Sequence, residues 1–225
     1  MSCSVPPSLT FTSMTRGSDE ELLPEKVLLC SDFPKELIGV DLEVGIDEAG
    51  RGSVLGPMVY SCAYWPVAKS EEMAKKGFDD SKALTAESRM QLFQKIQDNR
   101  DSLGYVIKPL QSKEISASML QTDPYNLNNL SHDAAIECLA KVLEMGGKVV
   151  KCFVDTVGPP DSYKRKFEER LSKHNIEFVV EKKADSKYKV VSAASICAKV
   201  TRDEMIDHWR FREKGYEVRT PPEML

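Results

Sequence analysis

From Leu37 onward the apolar residues fall into short dense runs separated by longer stripes, and the two spacings predict different elements. LIGVDLEVGID (37–47) and PMVYSCAYW (57–65) are rich in β-branched and aromatic residues and bounded by Gly and Pro, so both predict strands. TAESRMQLFQKIQD (85–98) predicts a helix with Thr85 as N-cap, Glu87 in its first turn, and Met90, Phe93 and Ile96 along one stripe. LGYVIKPL (103–110) predicts a third strand, and NLNNLSHDAAIECLAKVLEMG (126–146) a long helix closed by Gly146 and Gly147. KVVKCFVD (148–155) has the continuous apolar character of a buried strand; a short helix over 161–173, the strand IEFVVEKK (176–183) and a helix from Val190 to Glu213 complete the series. Three strands in succession followed by strand–helix–strand–helix imply an α/β fold with a mixed five-stranded sheet flanked by helices, its later strands parallel to the first. In such sheets a ligand sits beyond the carboxyl ends of neighbouring parallel strands. No internal repeat is present.

The pattern divides the chain into a leader over 1–36, rich in Ser, Thr and Pro and expected to be flexible, a domain over 37–213, and a divergent tail over 214–225. The leader has no apolar core with a small-residue cleavage site, which argues against a secretory signal. At 41% hydrophobic residues the 225-residue chain can build an ordinary core, and its longest apolar run, VLGPMVYSCAYW, is broken by Gly and Pro well short of the ~20 residues a membrane span needs. The six cysteines never form C-x-x-C and the three histidines lie far from them, so zinc and redox motifs are unsupported and buried reduced thiols in a reducing compartment are expected. A net charge of −4 speaks against a nucleic-acid partner, but it is unevenly spread. Residues 141–202 hold fourteen Lys or Arg against eight Asp or Glu, which leaves +6 there and −10 on the rest. That local basic field suits a polyanion, although a solvated face would look the same.

Four acids stand where the strands end or a helix begins: Asp47, Glu48, Asp155 and Asp185. Any one alone could merely cap a turn. Four converging on one sheet edge would repel, and a divalent cation would relieve that repulsion; carboxylates without His or Cys are the donor set Mg²⁺ or Mn²⁺ prefers. Two such ions ~3.5–4 Å apart can activate water and stabilise a leaving oxygen in phosphodiester cleavage. Directly after the first pair, Gly50-Arg51-Gly52 lets backbone approach a ligand closely and offers it both N–H and C=O groups, which could read a sugar hydroxyl and so distinguish RNA from DNA. Elsewhere such a tripeptide is commonly just a tight turn.

In order and separation, GIDEAGRGSVLGPMVY, DDSKAL, YNLNNLSHD, CFVDTVG and KADSKYKVVSAASICAKVTRD resemble the large catalytic subunits of eukaryotic type 2 ribonucleases H, over about residues 38–213. The resemblance implies a ribonuclease-H-like three-layer fold and a metal-dependent endonuclease. Its substrates would be the RNA strand of RNA–DNA hybrids and single ribonucleotides embedded in duplex DNA, cut on the 5′ side to leave a 3′-hydroxyl. Carried over by motif, Asp47, Glu48, Asp155 and Asp185 match the family's metal-binding catalytic acids and Gly50, Arg51 and Gly52 its ribose-reading loop. Because consecutive strand residues point to opposite faces, Asp47 and Glu48 share one site only if the strand end twists.

Lys82, Asn126, Asn128, Ser195 and Lys199 are polar groups expected near the cleft as phosphate contacts, with Asn128 and Lys199 equally readable as helix-surface residues. Lys182, Lys183, Lys187 and Lys189 bracket Asp185 and would let an acidic protein hold a polyanion. His132 either bonds near the helix start or assists in the cleft, the structural role being preferred. The resemblance further implies two accessory subunits in a heterotrimer and a nuclear location, the cytoplasm being the alternative. It ends at the tail: the family continues into G-S-G-Y-P, whereas here the chain reads EKGYEVRTPPEML, so Tyr216 receives no role. The expectation is a truncated or spliced product, with subunit docking left open. The alternative to a nuclease is an inactive or weakly active form that binds hybrid or partner subunits without cutting. A small-molecule phosphatase would share the acids but leaves the glycine loop and the basic segment without a purpose.

Overall fold

A computed structural model describes residues 28–52, 56–78, 85–156 and 158–209. Six strands form one sheet: β1 (Leu29–Cys30), β2 (Asp41–Ala49), β3 (Met58–Pro66), β4 (Gly104–Leu110), β5 (Lys148–Asp155) and β6 (Glu177–Glu181), in the spatial order β1-β4-β3-β2-β5-β6. β1 to β4 pair antiparallel, while β2, β5 and β6 run parallel. The sheet therefore has one strand more than the five expected. The addition is a two-residue edge strand on β4, too short to leave a period-2 signal, and it lies in the stretch assigned to the leader.

The helices are α1 (Ser70–Ala74), α2 (Ala86–Asp98), α3 (Ser112–Met119), α4 (Leu127–Glu144), α5 (Pro160–Arg170), α6 (Ala184–Lys187) and α7 (Lys189–Asp207). None of those described is long and apolar enough to cross a membrane. Thr85 caps α2 by accepting from the Ser88 N–H, as its sequence suggests. The buried residues of α2 are Leu92, Phe93 and Ile96, whereas Met90 is 41% exposed. A spacing of three residues drifts by about 60° per step around a helix, so a 90-93-96 row cannot stay on one face.

Two cores lie on opposite faces of the sheet. One joins β2, β3 and β5 to α4 and α5 through Val44, Ile46, Cys152, Val154, Leu139 and Phe167; the other joins the reverse face to α2 and α7 through Val59, Phe93, Phe153, Val191 and Ile196. This is the three-layer α/β arrangement. α7 comes unusually close because Gly45 offers no side chain: a Cβ there would lie 2.3 Å from the carbonyl carbon of Val190.

The parallel pairing of β2 with β5 contains one irregularity. Leu42 is opposite Val149, but Glu43 is opposite Lys151, so the register steps over Val150. From there the pairing runs evenly to Ile46 opposite Val154, which brings Asp47, near the end of β2, level with Asp155, the last residue of β5.

Candidate active site

At the carboxyl ends of β2 and β5, three of the four predicted acids converge. Asp47, Asp155 and Asp185 each place a carboxylate oxygen within 4.8 Å of the others. Asp47 comes from β2 and Asp155 from β5; Asp185 is supplied by α6, just after β6. The last placement depends on Lys183, which takes a left-handed conformation (φ 59°) and turns the chain sharply out of β6. The turn aims the Ala184 N–H at Asp155 Oδ1, 2.9 Å away, and buries Asp185 to 2% exposure.

Asp47 is buried against α7, hydrogen-bonded to Ser195, whose Oγ also accepts from Lys199 Nζ at 3.0 Å. Burial first, and then the charges of Asp155 and Asp185, push the Asp47 carboxyl up to about 7, against the lowering effect of Ser195 and the Glu48 N–H. Such a group ionises fully near neutral pH only when positive charge arrives. The donor set is all carboxylate oxygen and fits a hard divalent cation.

Glu48 does not join this cluster. It leaves β2 on the other face and lines a cleft with Arg51, Tyr60, Asn128, His132 and Asp155. Asp155, at the strand end, borders both the cluster and the cleft. His132 stacks on Tyr163 with ring centroids 3.9 Å apart, and burial, Lys166 and Arg51 hold its imidazole down at about 4, so it is neutral at physiological pH.

Gly50 and Gly52 both have positive φ, 83° and 84°. At Gly50 there is also no room for a side chain, since a Cβ would lie 2.3 Å from Arg202 Nε, which donates to the Pro57 carbonyl at 3.2 Å. Arg51 turns its side chain toward α4: Nη1 donates to Ser131 Oγ at 2.6 Å and Nη2 donates to Asn128 Oδ1. Asn126 caps α4, its Oδ1 accepting from the Asn129 N–H at 3.0 Å. Asn126 and Asn128 thus already have protein partners, Ser195 and Lys199 stand behind Asp47, and Lys82 lies outside the described residues, as do Tyr216 and the tail. Lys182 and Lys183 are exposed, while Lys187 pairs with Glu181.

Sequence reasoning missed Ser131, Tyr60 and Arg202. For Ser131 a signal existed, because it stands three residues after Asn128 and so shares its helix face. Tyr60 and Arg202 reach the loop only through tertiary packing.

The family model described as Ribonuclease HII matches residues 44–220. A ribonuclease H2 subunit from Arabidopsis thaliana is 45% identical over 175 residues, covering 78% of this chain and 58% of its own; the Bos taurus protein of the same name is 43% identical over 192 residues, covering 85% and 64%. The chain thus spans about three-fifths of the length of these curated relatives. Among solved structures, ribonuclease H2 from Pyrococcus horikoshii OT3 aligns with a TM-score of 0.63 at 34% identity over 74% of each chain. Bst-RNase HIII in complex with Mn²⁺ aligns at 0.61 and 22% identity over 76% of this chain and 55% of its own, a likeness of fold.

Proposed function

This chain belongs to the ribonuclease HII family, and from that premise we propose that it is a divalent-metal-dependent endoribonuclease acting on RNA–DNA hybrids and on single ribonucleotides within duplex DNA. The observation that carries the reading is the meeting of Asp47, Asp155 and Asp185 within 4.8 Å, immediately beside a loop whose glycines permit close backbone approach. Asp47, Asp155 and Asp185 would hold Mg²⁺ or Mn²⁺, with Glu48 contributing from the adjoining cleft. Two bound ions would supply activation of water and stabilisation of the leaving 3′-oxygen.

The protein's own contributions are positional. The Ala184 N–H fixes the Asp155 carboxylate, and Ser195, held by Lys199, fixes that of Asp47. The backbone of Gly50, Arg51 and Gly52 would meet the ribose 2′-hydroxyl, and the exposed Lys182 and Lys183, with Lys189, would meet the backbone phosphates. Lys82 and Asn126 remain candidate phosphate contacts once substrate is bound. Two accessory subunits, a place in ribonucleotide excision and DNA replication, and a nuclear location follow from the same reading.

The test is cleavage of a duplex carrying one ribonucleotide, with Mg²⁺ or Mn²⁺. A cut on its 5′ side leaving a 3′-hydroxyl is expected, with losses of roughly a thousandfold or more in Asp47→Asn and Asp155→Asn. Failure to cut any RNA-containing duplex would overturn the function. Equal cutting by the intact chain and both variants would overturn the assignment of the acids.

A further inference from the structure

The backbone that would read the substrate sugar is held by the side chain of its own central residue. Arg51 sends its guanidinium to α4, where the terminal nitrogens donate to Ser131 Oγ and Asn128 Oδ1, and the buried Tyr60 hydroxyl on β3 hydrogen-bonds both Ser131 and the guanidinium. All these partners are neutral. Asn128 and Ser131 stand on the first turns of α4, a helix anchored in the core by Leu130, Ala134 and Ala135. A planar guanidinium gripped by acceptors on two separate elements is a rigid brace, because its fork fixes direction as well as distance. Gly50 and Gly52, both at positive φ and without side chains of their own to restrain them, are the residues that gain from one.

We propose that Arg51 is a tie between the Gly50–Gly52 backbone and α4, and that Asn128 and Ser131 are positioning residues which, acting through Arg51, set the preference for ribose over deoxyribose. This rests on the function proposed above and deepens it: the guanidinium serves selectivity from within rather than by contacting a phosphate, and Asn128 serves it in the same way.

Two measurements test this, on the full chain. The first needs no nucleic acid. Amide order parameters of Gly50, Arg51 and Gly52 should fall from about 0.85 toward 0.6 or below in the Asn128→Ala/Ser131→Ala double variant and in Arg51→Lys, whose single ammonium cannot span both acceptors, while Ser131→Thr stays near wild type. Unchanged order parameters in the double variant would overturn the tie, whether or not the chain proves to be a nuclease.

The second compares a duplex containing one ribonucleotide with the same duplex in all-DNA form. The double variant should lose about 30-fold in kcat/KM on the first, mainly in kcat, and about tenfold in its binding preference for the first over the second, with all-DNA affinity and its salt slope unchanged and Ser131→Thr restoring both. Equal affinity loss for the two duplexes in Arg51→Ala, with the salt slope reduced by about one, would make Arg51 a phosphate contact and overturn the proposal. If the wild type neither binds nor cuts the ribonucleotide-containing duplex, the function has failed and the selectivity claim with it, while the order parameters still decide the tie.

Discussion

Asp47 and Glu48 leave β2 on opposite faces, and the surroundings they meet differ in kind. On the Asp47 face three carboxylates crowd together, with Ser195 and Lys199 behind one of them. On the Glu48 face the carboxylate, joined by Asp155 at the margin, looks into a cleft shared with Arg51 and a neutral His132 stacked on Tyr163. The first environment is incomplete in charge and calls for a cation. The second sets two carboxylates beside one guanidinium that α4 already braces and an imidazole that stays neutral. The pair teaches that adjacent acids in one motif do not play interchangeable parts: which face a side chain enters decides whether it meets a buried cluster of like charge or a cleft that also holds a cation.

That contrast breaks if the two acids behave alike when Mn²⁺ binding is followed by calorimetry. Asp47→Asn should remove measurable binding, about a hundredfold or more in affinity, whereas Glu48→Gln should weaken it by about tenfold or less. Next in size is Gly45→Ala, which must push α7 off β2 and with it Ser195 off Asp47. A loss of about 3 kcal/mol in urea unfolding is expected, and a loss below about 0.5 kcal/mol would deny that this contact is tight.

A third, smaller effect concerns stability without metal. The Asp47 carboxyl is raised to about 7 in the fold, so the folded state binds its proton more tightly than the unfolded chain does. Its contribution to stability is present in full below the ordinary carboxylate range and is lost as pH climbs toward 7. With a chelator present, Asp47→Asn should therefore stabilise the chain at pH 8 by about 2 kcal/mol and do little at pH 4. Destabilisation at pH 8 would contradict the crowding of charge. The smallest effect is on the other face: His132, held at about 4, should still show a neutral imidazole by NMR at pH 6, and protonation near 6.5 would mean the cleft is wetter than its stacked ring implies.

Much of this organisation was legible in the chain. The β5 run read as a buried strand and the α4 and α7 runs as long helices, and the acids at strand ends pointed to the sheet edge where Asp47, Asp155 and Asp185 meet. The separation of Glu48 was foreseeable from strand alternation, which warned that two consecutive acids need a twist to share one site. The grip on Arg51 was less accessible, since Tyr60, Asn128 and Ser131 become neighbours only when β3 and α4 pack. Strand β1 and helix α6 were illegible for a simpler reason: two and four residues are too few to complete a period.

The step over Val150 has a consequence for how errors would propagate. Side chains alternate along a strand, so the parity of the residue count between the start of the β2–β5 pairing and its end determines the side on which Asp155 emerges. If the step were lost with Val150 retained, so that Glu43 faced Val150, Asp47 would stand opposite Val154 and Asp155 would be one position out of step. The position that sets this parity is five residues from the acid, roughly 16 Å along the strand. Deleting Val150 would only straighten the ladder, whereas drawing Val150 into it would be a frameshift in space: the sheet would close over an intact sequence motif while the carboxylate is delivered to the wrong address.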